Sequence, residues 1–211
     1  MKKIISLLLC VGLIMTMFTA CGAKGVKTGL AVVTSATSSK DATEDKEGLA
    51  QVDSTAVAVL VDSKGVIQNC VIDVVQTKFN FSSAGEITTD LGKTFVSKKE
   101  LGDAYNMRSD SPIGKEWYEQ AEALEKYVIG KTVDQVKGIS LDKGYPTDND
   151  LTSSVTMNIA AIVSAIEKAV NNAKDLGAKA GDKLGLGIIS GAQASGTKSA
   201  SDEGDGSVTA Y

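Results

Sequence analysis

Residues 56–75 read Ala56-Val57-Ala58-Val59-Leu60-Val61-Asp62-Ser63-Lys64-Gly65-Val66-Ile67-Gln68-Asn69-Cys70-Val71-Ile72-Asp73-Val74-Val75. Two apolar, β-branched runs flank a short polar segment, so the stretch predicts a hairpin with Gly65 at a positive φ in its turn. Upstream, Thr28 to Thr34 is apolar and β-branched and reads as a first strand, and Thr37 to Lys46 is polar and reads as a surface loop. Downstream, Lys78 to Phe95 predicts two further short strands, or one strand and a loop. Helical signals follow. Ser97-Lys98-Lys99-Glu100 fits a capping box opening a helix through Met107. Ser111-Pro112 predicts the next helix start, with Trp117, Ala121, Leu124 and Val128 as its apolar face and Gly130 as its stop. Thr132 to Lys137 predicts one more short helix, and Tyr145-Pro146 closes the loop after it. Strands followed by helices predict an α+β domain over residues 27–179, an antiparallel sheet packed by helices.

Asp150-Leu151-Thr152-Ser153-Ser154-Val155-Thr156 precedes the longest helical pattern, in which Ile159, Ile162, Val163, Ile166, Ala169, Val170 and Ala173 recur at three- and four-residue spacings. Gly177 is its predicted end. The Asp, Ser and Thr cluster supplies N-caps and places Thr156 in or beside the first turn, where unpaired N–H groups would favour a phosphate. The same cluster read more simply caps a core helix and does nothing else.

The Asp-x-x-Gly turn of the hairpin (Asp62, Gly65), the Ile72-Asp73 pair and the 150–156 stretch together resemble the FMN-binding domain family. That family carries a flavinylation motif, Asp-x-x-Ser/Thr-Gly-Ala-Thr/Ser, whose last hydroxyl is esterified to the FMN phosphate by a dedicated flavin transferase. Asp150, Ser153 and Thr156 match the motif, whereas Ser154 and Val155 stand where the family usually has glycine and alanine. The resemblance implies an FMN-binding-domain-like fold, with Thr156 as the attachment point and Asp150, Ser153, Ser154 and Val155 around the cofactor. It implies an electron carrier serving redox partner proteins, in which the flavin supplies the redox chemistry and the protein supplies attachment and electrostatics. The added bulk at 154 and 155 predicts slower attachment.

Residues 1–20 read as a signal peptide, with Lys2 and Lys3 before an apolar run from Ile4 to Phe18. Phe18-Thr19-Ala20-Cys21 resembles a lipoprotein box, so Cys21 is the expected lipidation site, residues 21–26 a tether, and the location the extracytoplasmic side of the membrane. Removing Lys2 and Lys3 takes Lys plus Arg from 22 to 20 against 26 Asp plus Glu, so the formal charge moves from −4 to −6. A nucleic-acid partner is not expected on that balance. Cys10 leaves with the signal and Cys21 takes the lipid, which leaves Cys70 alone in an apolar run as a small core residue. With no histidine in the chain, His-based triads and His metal sites are excluded, and no catalytic side chain or metal site is expected.

Trp117 sits on an apolar helix face and is expected in the core rather than on a flavin, and Tyr105, Tyr118 and Tyr145 carry still weaker signals. Asp148 and Asp150 read as cap and loop residues. Beyond residue 179, Lys183-Leu184-Gly185-Leu186-Gly187-Ile188-Ile189-Ser190 repeats the pattern of Lys27-Thr28-Gly29-Leu30-Ala31-Val32-Val33-Thr34. After a two-residue insertion, Ala200-Ser201-Asp202-Glu203 answers Ala42-Thr43-Glu44-Asp45, and Gly206 answers Gly48. Residues 180–211 are therefore either a partial second repeat or a C-terminal strand of the first domain with a polar tail. Two functional classes compete with the flavin carrier: a non-redox binding or structural surface lipoprotein that keeps the fold without flavin, and a solute-binding lipoprotein.

Overall fold

A computed structural model describes residues 25–191; the predicted signal peptide, Cys21 and the repeat beyond 191 lie outside them. Strands β1 (Lys27–Ser35), β2 (Gly48–Val61) and β3 (Ile67–Phe81) form one antiparallel sheet in the order β1-β2-β3. The Asp62 carboxylate ties the β2–β3 turn by accepting the N–H groups of Lys64 (2.8 Å) and Val66 (3.0 Å), and Gly65 takes φ 77°. Both hairpin strands run longer than the apolar pattern alone predicts. Exposure alternates along their distal halves, with Lys78 and Asn80 exposed between half-buried Phe79 and Phe81 on β3, while on β2 it is the polar Gln51 that is buried and Val52 that is exposed.

Past β3 the chain makes a short strand β4 (Thr94–Phe95), then helix α1 (Lys98–Leu101), whose capping box forms as Ser97 and Glu100 exchange hydrogen bonds with each other's backbone. A 3-10 turn (Gly102–Tyr105) follows. Helix α2 spans Trp117–Val128, so the start expected at Ser111-Pro112 is displaced by five residues. The cause is Glu116. Its carboxylate is buried and accepts the N–H groups of Met107 and Arg108, both at 2.9 Å, which folds residues 107–115 into turns instead of a helical first turn. Burial alone would raise its pKa. The N–H groups of Met107, Arg108 and Trp117, with Arg108 nearby, outweigh that and hold the carboxyl below the usual range.

Helix α3 (Val133–Lys137) forms where a short helix is expected, and Thr132 caps it. Strands β5 (Leu141–Asp142) and β6 (Tyr145–Pro146) make a small hairpin where the sequence reads as loop, with Lys143 and Gly144 both at positive φ. Helix α4 (Asn149–Thr152) precedes helix α5 (Ala160–Asn171). The long helix ends at Asn171 rather than running to Gly177, because the chain turns to pair with β1. Thr28 and Lys174 exchange backbone hydrogen bonds at 2.9 and 3.0 Å, and the Asn172 amide donates to Leu30 O.

Helix α5 packs on β1 and β2, and α2 packs on β3. Their apolar stripes meet Val57, Val59, Val61, Ile67 and Ile72 in one core that includes Cys70 and Trp117. The close approach of α5 requires glycine at 29, where a Cβ would lie 2.0 Å from Ala169 O. A final pair, β7 (Ser190–Gly191), bridges β4. Residues 184–189 of the repeated stretch take no strand position, and Ile189 is 73% exposed. Among the described residues no helix is long and apolar enough to cross a membrane.

Candidate functional site

Thr156 does not lie in the first turn of α5, which begins four residues later at Ala160. Two side chains decide this. Asn158 Oδ1 accepts the N–H of Ala160 at 3.1 Å and so caps the helix from a later position, and Gln120 holds the segment before it. Gln120 Oε1 accepts the N–H groups of Thr156 (2.8 Å) and Met157 (3.1 Å), and the Thr156 hydroxyl donates to the same oxygen at 3.3 Å. The Gln120 amide nitrogen donates to Ser111 Oγ (3.1 Å) and Lys115 O (3.2 Å). This fully buried amide thus ties the α2 helix, the 111–115 turn and the Thr156 segment at one point. The free N–H groups expected beside Thr156 are accordingly in use.

Of the other motif residues, Asp150 lies in the first turn of α4 and Ser153 is exposed just after it. The Ser154 hydroxyl donates to Leu151 O at 3.2 Å. Val155 is fully buried in the main core and does not line the cleft that Thr156 faces, so its branched side chain fills the interior instead of crowding a phosphate there. Nearby, Gly144 is obligatory, since its φ is 90° and a Cβ would meet the Asn158 side chain at 2.5 Å. Gly144 O accepts the Ile159 N–H and Lys143 O accepts the Asn158 amide, so the β5–β6 hairpin is docked against the Thr156 segment and brings Tyr145 beside it.

Thr156 opens onto a cleft of about 310 Å³ whose walls include Lys98, Tyr105, Trp117, Tyr145 and Met157. Trp117 is a core residue, as expected, and is also a wall of this cleft. Lys98 Nζ lies 4.6 Å from the centroid of the Tyr105 ring and 5.3 Å from that of Trp117. Burial lowers its pKa to about 8, opposed by Asp53 and Asp73 and reinforced by Lys78. Burial, with the Glu125 charge adding to it, raises the Cys70 thiol to about 12, which leaves this residue inert as a nucleophile. Among the described residues no group of three His, Cys, Asp or Glu side chains could hold a metal ion.

Sequence reasoning missed Gln120 and Lys98. Gln120 is the one polar residue within the Trp117-Ala121-Leu124-Val128 stripe, a position at which a buried amide needs a specific partner, and that was the available signal. Lys98 carries no comparable signal, because nothing in a capping box says that its second residue will be covered by aromatic rings.

No known family profile matches this chain, and no solved structure matches it. A chlorophenol reductase from Desulfitobacterium hafniense is 35% identical over 94 residues, a region that covers 39% of this chain and 29% of that protein. The chain therefore spans less than a third of that relative's length.

Proposed function

We propose that this chain is an extracytoplasmic, lipid-anchored FMN-binding protein that carries electrons, with FMN esterified through its phosphate to Thr156. The supporting observation is the position of that hydroxyl. It keeps the family spacing from Asp150 and Ser153, and it faces a cleft walled by Tyr105, Trp117 and Tyr145. Aromatic faces of this kind suit a flat heteroaromatic ring. The backbone N–H groups of Thr156 and Met157 are engaged by Gln120, so a phosphate on Thr156 would rely on solvent and on the Lys98 charge in the same cleft. Bound there, the flavin would supply one- and two-electron chemistry, and this chain's residues would tether it, cover it and set the charge around it. That the similar protein of Desulfitobacterium hafniense is a reductase supports a redox role.

A second reading, a surface lipoprotein without flavin, is favoured by one specific observation. The Thr156 hydroxyl already serves a structural hydrogen bond to Gln120. Co-expression with a flavin transferase followed by intact-mass measurement separates the two. The carrier reading expects one esterified FMN on the parent and on Thr152→Ala, none on Thr156→Ala, and a higher yield on Ser154→Gly. If the parent stays unmodified while a Ser154→Gly, Val155→Ala double variant gains FMN, the site has been disabled and the second reading holds. If neither gains it, the attachment reading fails outright.

A further inference from the structure

Lys98 is half-buried, yet among the described residues its ammonium makes no hydrogen bond and no ion pair; it lies over the rings of Tyr105 and Trp117. The two carboxylates that act on it are committed elsewhere. Asp53 accepts the side-chain amides of Gln51 and Gln76 and the Ser38 hydroxyl, and Asp73 accepts the N–H groups of Val74 and Lys99. A half-buried ammonium that no carboxylate among the described residues contacts directly has lost part of its hydration and keeps its N–H donors open to a ligand in the cleft.

Lys98 and Tyr105 also line a second cleft, of about 290 Å³, whose walls do not include Thr156. Lys78 and Lys93 also line it, and among the described residues neither is in an ion pair and no Asp or Glu joins the lining. The rest of the lining mixes polar Gln76 and Thr94 with apolar Val96, Leu101 and Phe95, the last braced edge-on against Phe79 at 5.3 Å between centroids. Lys93 Nζ sits 5.4 Å from the Phe95 ring centroid, so the cationic rim leans over an aromatic floor. Three ammonium groups around a partly aromatic hollow select for charge and flatness together.

We propose that this second cleft binds a small aromatic anion, with its ring against Phe95 and Tyr105 and its negative group on Lys98, flanked by Lys78 and Lys93. The site does not depend on flavin. Because Lys98 and Tyr105 are shared walls, an anion bound here would lie next to whatever occupies the Thr156 cleft.

The test is calorimetric titration of the detergent-solubilised full-length protein, made without a flavin transferase, at neutral pH. The probes are 2-naphthoate, its neutral analogue 2-naphthalenemethanol, inorganic phosphate and laurate. Naphthoate is expected to bind saturably at one site, at least about tenfold more tightly than the neutral analogue or phosphate. Lys98→Met, which keeps the apolar stem, should weaken naphthoate by at least about tenfold while holding or raising the melting temperature, since it removes an uncompensated charge. The exposed pair Lys78→Ser, Lys93→Ser should weaken it about two- to fivefold, and more at low salt, independently of any folding effect at Lys98. Above pH 8 affinity should fall roughly tenfold per unit as the Lys98 ammonium loses its proton; Asp53, Asp73, Lys78 and Tyr105 are the other titratable groups facing it. Absence of naphthoate binding, equal binding of the neutral analogue, phosphate or laurate, or an unchanged affinity in Lys98→Met would each overturn the proposal.

Discussion

At the scale of single residues, the site depends on one neutral amide. Gln120 accepts from Thr156 and Met157 and donates to Ser111 and Lys115, and no water-exposed group could replace it without moving α2. Gln120→Leu keeps a similar volume but strands two N–H donors, each worth about 1–3 kcal/mol when left unsatisfied. Gln120→Glu retains the acceptor and loses both donated bonds, setting a carboxylate against Lys115 O. Both variants are expected to lower the denaturant midpoint, with Leu the more severe, and amide hydrogen exchange at Thr156 and Met157 should accelerate in Gln120→Leu more than elsewhere in the core. Exchange that stays slow at those two amides would show that Gln120 does not hold the segment.

Among the elements, the seating of α5 on β1 is the tightest fit. Gly29 meets Ala169 O so closely that any Cβ must push the helix outward, and the contact is with backbone rather than with a side chain that could rotate away. Gly29→Ala should therefore destabilise the domain by about 1–3 kcal/mol, read as a fall in melting temperature. Gly25→Ala, where nothing lies within 4 Å of the new methyl, should leave it unchanged. The sheet's outer edges are satisfied in a related way. Lys168 and Asn172 of the α5 end reach the carbonyls of Val32 and Leu30 on β1, and on β3 the Ile72 N–H is taken by Glu125, which also pairs with Lys99 at 2.6 Å. Helix side chains thereby close edges that would otherwise recruit another strand.

For the whole molecule, the repeated stretch Lys183 to Ser190 stands outside the packed core. The three-stranded sheet has no place for it, none of residues 180–191 is buried, and its link to the domain is the β4–β7 bridge together with the Thr77 hydroxyl on Ser190 at 2.7 Å. Gly185 occupies the position that Gly29 holds in the first copy, yet nothing lies within 4 Å of where its Cβ would be. Unlike Gly29, Gly185 therefore has no helix packed against it among the described residues, and the stretch adds no comparable close contact to the domain. Deleting residues 180–211 should then shift the melting temperature only slightly. A fall equivalent to even one buried apolar side chain, about 1.5–3 kcal/mol, would assign the stretch to the first domain instead.

The α+β class, the hairpin at residues 56–75, the Ser97 capping box, the short helix after Thr132 and the apolar faces of α2 and α5 were legible in the sequence. Each rests on interactions spanning a few residues: turn chemistry, side-chain periodicity, or a hydroxyl reaching the N–H groups of its own helix. What only the tertiary structure decided is where those elements stop and what faces the Thr156 cleft. Glu116 holds the N–H groups of residues 107 and 108 and so sets the turns ahead of α2, Gln120 holds those of 156 and 157 ahead of α5, and Lys174 pairs the chain after α5 with β1. For Gln120 and Lys174 the partner lies far away in sequence, outside any window short enough to show periodicity; Glu116 lies within such a window, but only the fold buries its carboxylate against those N–H groups.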